Sequence, residues 1–364
     1  MIQPSLSLDR TQIIKPKESA NRVDCYRLIS TEIGEGTYSS VNLFQWAKEC
    51  SSPPDLFAVK SISIMSLRSS QIPVYGPNGL VDVFSGRFQV DREIDILEKL
   101  STSNSVHIIS IHELLIEEDT IHIVYPYRGF PIMIYTDCVC AYSACSDGRV
   151  EKFKVIEATK SDPIHVFSIE DATICMRQLL SAVEVVHAHG VCHKDIKPEN
   201  VLIKVPLRRW WSRSLPNPPS DFHNCSEPSN IHVTLCDFNT AEFTQDGGKI
   251  YDAQGTVLFS PPEVFDRAFT EEQSIDASAR DMWSVGMVGF AMLCGALPIA
   301  GKSPIEIQLE LIGMIQDQPN GNLCLPSDWE SIPTTAPLKS TIESMLSIDP
   351  LSRPSATKAL DSLK

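Results

Sequence analysis

Apolar residues recur at helical spacing at Ile94, Leu97 and Leu100 inside the charged stretch 91–100, which predicts an amphipathic helix there. A second helix is predicted from Ser168, with Glu170 and Asp171 in its first turn, running to His187. Strand-like patterning begins at Tyr26, returns in the apolar run Phe57-Ala58-Val59 before Lys60, and fills 108–118 and 120–127 about the acidic turn Glu117-Glu118-Asp119. Met282 to Ala300 carries no charge over nineteen residues, a length that would fit a membrane span. Glycines, a serine and Pro298 interrupt it, and Asp281 precedes it, so the expectation is a buried core helix. Residues 1–25 mix serine, lysine and proline without period and read as a mobile tail.

Composition narrows the class. The 364 residues, 43% of them hydrophobic, suffice for two domains or one large bilobal one. A formal net charge of -15 repels nucleic acid and anionic membranes, so no nucleic-acid partner and no membrane is expected. Eleven cysteines without even spacing, and no apolar N-terminal run, point to free thiols and a cytoplasmic or nuclear location. Cys138, Cys140 and Cys145 have no matching fourth ligand nearby, so a metal site is set aside in favour of free thiols.

Chemistry concentrates in His193-Lys194-Asp195-Ile196-Lys197-Pro198-Glu199-Asn200, where an aspartate, a lysine two residues on and an asparagine five residues on share one short loop. Those types can accept a hydroxyl proton, neutralise a phosphate and hold a metal. The stretch resembles the catalytic loop of protein kinases, and six further blocks follow the same family order. Ile33-Gly34-Glu35-Gly36-Thr37-Tyr38-Ser39-Ser40-Val41 resembles the glycine-rich loop, and Phe57-Ala58-Val59-Lys60 the strand that carries the phosphate-binding lysine. Leu235-Cys236-Asp237-Phe238-Asn239 resembles the metal-binding D-F-G motif, Pro261-Pro262-Glu263 the A-P-E motif, Asp281-Met282-Trp283-Ser284-Val285-Gly286 the start of the central helix, and Arg353 the arginine that pairs with the A-P-E glutamate.

That resemblance, over residues 26–364, implies a mixed α+β protein kinase-like fold with two lobes: a small antiparallel β-sheet lobe plus one helix at 26–127, and a larger, mainly α-helical lobe at 128–364. It implies transfer of the γ-phosphoryl of ATP, with Mg²⁺, to serine or threonine hydroxyls of protein substrates. The branch is closer to basophilic calmodulin-dependent-type kinases than to proline-directed ones. Asp195 would meet the acceptor hydroxyl, Lys197 the transferred group, and Thr256 both of them through its hydroxyl. Lys60 would contact the α- and β-phosphates, oriented by Glu93 in preference to Glu98. That choice lets Leu97 join the hydrophobic column between the lobes. Asn200 and Asp237 would hold the metal. Ile33, Gly34, Gly36, Val41, Ala58 and Tyr127 would line the nucleotide site, with Tyr125 at its back and 126–128 as the hinge. Glu199 sits where basophilic kinases read arginine upstream of the acceptor.

Several positions depart from the family pattern. Ser39 replaces the third glycine, and Asn239 replaces the glycine of D-F-G, a residue tolerant of positive φ. Lys194 replaces an arginine whose fork grips a phosphorylated activation loop, a grip lysine does not reproduce. Thr240, Thr244 and Tyr251 are candidate phosphorylation sites, while Asp246 and Asp252 are candidates for fixed negative charge in a constitutively active enzyme. Together the departures leave a catalytically weak pseudokinase scaffold as the alternative. Insertions near 61–88, 129–167 and 205–231 offer room for a regulatory partner. The first is expected to be a solvated loop, and the last carries Arg208-Arg209-Trp210-Trp211-Ser212-Arg213. Because the chain stops at Lys364, no autoinhibitory calmodulin-binding segment is expected after it.

Overall fold

The computed structural model describes residues 26–36, 39–46, 56–76, 79–132, 138–144, 150–157, 167–205, 230–265, 274–299, 301, 303–316, 323, 325, 329 and 334–364. The tail at 1–25, the cysteine trio's side chains and the Arg208–Arg213 cluster lie outside what is described.

The N-terminal region is an antiparallel sheet in the order β1-β2-β3-β7-β6, made of β1 (Tyr26–Gly36), β2 (Ser39–Trp46), β3 (Leu56–Ser63), β6 (Glu113–Ile116) and β7 (Thr120–Pro126). Strand β3 buries Phe57 and Val59 in alternation, and its register sets Lys60 opposite Val41 on one side and Ile123 on the other. The cationic end of an apolar strand is thereby fixed at the sheet's centre. Glu117 N–H donates to Thr120 O at 2.9 Å, closing the expected acidic turn, but the preceding strand is shorter than its pattern promised. Ile108 and Ile109 instead bridge to Leu235 in the other lobe.

The insertion at 61–88 is not a loop. It folds into α1 (Ile64–Ser69) and the hairpin β4 (Gln71–Gly76) and β5 (Gly79–Ser85), which lead into α2 (Gly86–Ser101). Pro73 stands opposite Val83 in a two-stranded hairpin, where each strand has one unpaired edge and proline is tolerated more readily than in a central strand. Phe84 stacks on Phe88 with ring centroids 4.5 Å apart, tying the hairpin to the helix that carries Glu93. The expectation of a single helix in this lobe was one short.

Beyond β7 come β8 (Phe130–Pro131), the hairpin β9 (Cys138–Ala144) and β10 (Val150–Glu157), and α3 (Ile169–Ala188). Ser168 caps α3, its Oγ accepting from Asp171 N–H at 3.1 Å, so the predicted start is correct to the residue. Short strands β11 (Val191–Cys192), β12 (Val201–Lys204), β13 (His232–Leu235), β14 (Glu242–Phe243), β15 (Lys249–Ile250) and β16 (Ile275–Asp276) frame the loops between them. The helices α4 (Pro262–Phe265), α5 (Ala277–Cys294), α6 (Pro304–Gln316), α7 (Ala336–Met345) and α8 (Ala356–Ser362) complete the chain.

The uncharged stretch lies in α5 only as far as Cys294; the helix is buried nearly all round and is capped by Gly295 with φ 68. A Cβ at Gly286 would come within 3.0 Å of Leu346, so glycine lets α5 press against the end of α7. Among the described residues no helix is long and apolar enough to cross a membrane. One buried cluster runs from Leu97 and Ile123 through Phe238 to Trp283 and Ile342, joining both lobes into one core. The mixed α+β architecture and its N-terminal antiparallel sheet are as the sequence implied.

Candidate active site

A cavity of about 720 Å³ opens between the sheet and the helical lobe. Ile33, Gly34, Gly36, Val41 and Ala58 line it from the sheet, and Lys197, Glu199, Asn200 and Asp237 from the other lobe. The loop that carries Lys197 and Asn200 is held by one fully buried carboxylate. Asp281 accepts from His193 N–H and Lys194 N–H, each at 2.9 Å, and lies 3.0 Å from His187 Nε2. Burial works against its charge, but the His187 contact and these donors hold its carboxyl below the usual range. The bracing keeps Lys194 at φ 67, a left-handed conformation that a bulky residue reaches only under constraint.

On the sheet side, Lys60 Nζ lies 3.0 Å from both Glu93 oxygens and 3.2 Å from Asp237 Oδ1. Glu93 is the partner chosen over Glu98, because Glu98 is on the exposed face of α2 while Glu93 is buried at 2% exposure. Burial works against the Lys60 ammonium, yet Glu93 and Asp237 outweigh it and its pKa is raised, so it is charged. Tyr125 lies at the back of the cavity and donates its hydroxyl to Glu93 Oε1 at 3.2 Å, a contact the sequence reading did not foresee. Burial, then Glu93, raises the Tyr125 pKa, so the phenol stays protonated and can donate.

On the other side, Asp195 Oδ2 is 2.8 Å from Lys197 Nζ, and Asn200 Nδ2 donates to Asp195 O at 2.8 Å and to its Oδ2 at 3.2 Å. Burial disfavours the Asp195 charge, but hydrogen bonds from Lys197 and Thr256 outweigh it and lower its pKa. Thr256 differs in detail from expectation. Its hydroxyl accepts from Lys197 Nζ at 2.9 Å, but its main-chain N–H, not its hydroxyl, reaches Asp195 Oδ1 at 2.8 Å.

One further expectation is corrected, and one residue is qualified. Asn239 does not take positive φ; Asp237 does, at φ 60, because the turn that aims its carboxylate at Lys60 falls there. The main-chain N–H of Tyr127 is spent on Leu56 O at 2.9 Å, so this residue lines the cavity without offering that donor to a nucleotide. Pro126 has none to offer either.

The polar lining fits a hard divalent cation. Asp237 is 35% exposed toward the cavity, Asn200 spends its amide nitrogen on Asp195, and Asn239 Oδ1 is buried with no hydrogen-bond partner among the described residues. No group of three His, Cys, Asp or Glu able to hold a metal occurs among the described residues, so phosphate oxygens would have to complete the shell. Far from the cavity, Arg353 forms the expected fork on Glu263, Nη1 to Oε1 at 2.6 Å and Nη2 to Oε2 at 2.9 Å.

These features belong together in one family. A family model for the protein kinase domain matches residues 28–363, and the chain belongs to that family. Its relatives include a probable myosin light chain kinase of Dictyostelium discoideum, 28% identical over 74% of this chain and 53% of that protein. Death-associated protein kinase 2 of Mus musculus is 24% identical over 87% of this chain and 66% of that protein. Calcium/calmodulin-dependent serine/threonine-protein kinase 1 of Oryza sativa subsp. japonica is 29% identical over 38% of this chain. The chain matches about half the length of the first of these.

Proposed function

We propose that this protein is a serine/threonine kinase, passing the γ-phosphoryl group of MgATP to hydroxyls of protein substrates. The observation that carries the proposal is that Lys60, paired with Glu93 on the sheet side, meets Asp237 of the other lobe at one cavity, which Lys197 and Asn200 also line and beside which Asp195 is paired with both. Glu93 would hold the Lys60 ammonium against the nucleotide's α- and β-phosphates, at an atom already confined by two carboxylates. Asp237 and Asn200 would hold Mg²⁺, which when bound neutralises the phosphate oxygens between which transfer occurs.

Asp195 would accept the proton of the acceptor hydroxyl as its oxygen bonds to the γ-phosphorus and the bond to ADP breaks. With its pKa lowered, Asp195 is a carboxylate at neutral pH and a weak base, so its larger contribution is orientation of the hydroxyl. Lys197, anchored between Asp195 and Thr256, would neutralise charge on the group in flight. Glu199, exposed at the cavity mouth, supports preference for a basic residue upstream of the acceptor. What supports the catalytic reading over the pseudokinase alternative is that Lys60, Lys197, Asn200 and Asp237 line one cavity, with Asp195 paired to Lys197 beside it.

The test is transfer of label from γ-³²P-ATP to a generic basic protein, with acid hydrolysis to identify the labelled residue. Wild type should label serine or threonine, and Asp195→Asn should fall by about 10² to 10⁴-fold while retaining its thermal melt. No label above that control would overturn the proposal.

A further inference from the structure

A second lysine is clamped by carboxylates outside the cavity. The Lys194 side chain is 0% exposed, and its Nζ lies 2.8 Å from Glu242 Oε2 and 2.7 Å from Asp252 Oδ2. Glu242 and Asp252 belong to the segment between Asp237 and Glu263, and Lys194 to the loop that carries Asp195. Burial works against both acids. Lys194, with the hydrogen bonds of Glu242 and Lys194, nonetheless holds Asp252 down at about 2, whereas burial and its neighbour push Glu242 up.

The cluster reaches two more elements. Arg92, one residue before Glu93 on α2, lies 3.9 Å from Glu242 Oε2, with its Nε and Nη2 left without a hydrogen-bond partner among the described residues. That is attraction by charge rather than by a fork. Arg280, fully buried at the start of α5, donates to Asp252 O at 3.0 Å, to Lys194 O at 3.4 Å and to Gln254 O. Gly255 follows with φ 137, where a Cβ would meet Lys194 O at 2.4 Å. Asp252 is thus seated on the catalytic loop by side chain and main chain together, four residues before Thr256.

We infer that Asp252 and Glu242 are positioning residues that hold the 237–263 segment and α2 in their catalytic arrangement by fixed charge, so that no phosphate need be added to the segment. The candidate acceptors in it are consistent with this. Thr240 donates to His193 O at 3.2 Å, Thr244 to Gly190 O at 3.3 Å and Tyr251 to Asp246 Oδ2 at 2.7 Å. Asp246, the other candidate for fixed charge, is turned to Tyr251 and not to Lys194. A phosphate brought to the clamp would meet two carboxylates already there.

This inference rests on the proposed kinase activity for its kinetic consequence but has a readout of its own. Full-length protein made in bacteria is treated with phosphatase, and mass spectrometry verifies that 237–263 carries no phosphate. Hydrogen exchange over 250–256 and peptide phosphorylation are then measured for wild type, Asp252→Ala, Asp252→Glu and Asp246→Ala. Dephosphorylated wild type should protect 250–256 and keep activity within about twofold of the untreated protein. Asp252→Ala should exchange there about 100-fold faster, the scale of a broken buried pair, and lose at least about tenfold in kcat with a smaller change in ATP KM. Asp252→Glu should recover part of both, and Asp246→Ala should match wild type. Loss of protection on phosphatase treatment, or equal protection in Asp252→Ala, would overturn the inference even if no variant transfers phosphate. Protection as expected without any transfer would instead count against the kinase proposal alone.

Discussion

Two lysines in this protein each sit between two carboxylates, and they differ in what surrounds them. Lys60 joins Glu93, buried, to Asp237, which is 35% exposed at the cavity. Lys194 joins Glu242 and Asp252 with no exposure of its own side chain. A cation with an open carboxylate partner can exchange part of its coordination for an incoming anion. A sealed one cannot, and its energy goes into holding segments together. On the kinase reading proposed above, a lysine between two carboxylates therefore serves a ligand site in one place and a structural clamp in the other.

The largest expected effect separates them by stability. Lys194→Met removes the buried cation shared by Glu242 and Asp252, leaving only Arg92 at 3.9 Å from Glu242, and should cost about 3 to 5 kcal/mol in denaturant unfolding, the range for a broken buried pair. Next, Gly255→Ala should cost about 1 to 3 kcal/mol and slow turnover, because alanine at φ 137 presses a Cβ on Lys194 O in the sealed cluster. A melt unchanged from wild type would mean that the segment 252–256 is not packed as described. The smallest effect concerns the open cluster. Tyr125→Phe removes one donor to Glu93 and should cost about 1 kcal/mol, read as a several-fold fall in kcat/KM for ATP. An unchanged value would make the phenol a pocket wall only.

The open cluster was largely legible in the sequence because each of its residues is a chemical type placed in a short motif. Lys60, Glu93 and Asp237 meet across separations of 33 and 177 residues, and only the family order predicted that meeting. The sealed cluster was half legible. Lys194 stood out as a replaced arginine and Asp252 as a source of charge, but Glu242 resembles any surface acid, and its 48-residue reach to Lys194 leaves no local periodicity. Asn239 misled because its tolerance of positive φ says where such a conformation is affordable, not where the turn requires it; Asp237 took it. The hairpin at 71–85 was expected as a solvated loop, since Pro73 argues against a strand unless that strand lies at an edge.

The division of labour between the two lysines is tested most directly by nucleotide binding. Thermal melts with and without MgATP should show a stabilising shift in wild type and in Lys194→Met from its lower starting point, and none in Lys60→Met. A full shift in Lys60→Met would contradict the account, because the ammonium between Glu93 and Asp237 would then have no part in holding the nucleotide.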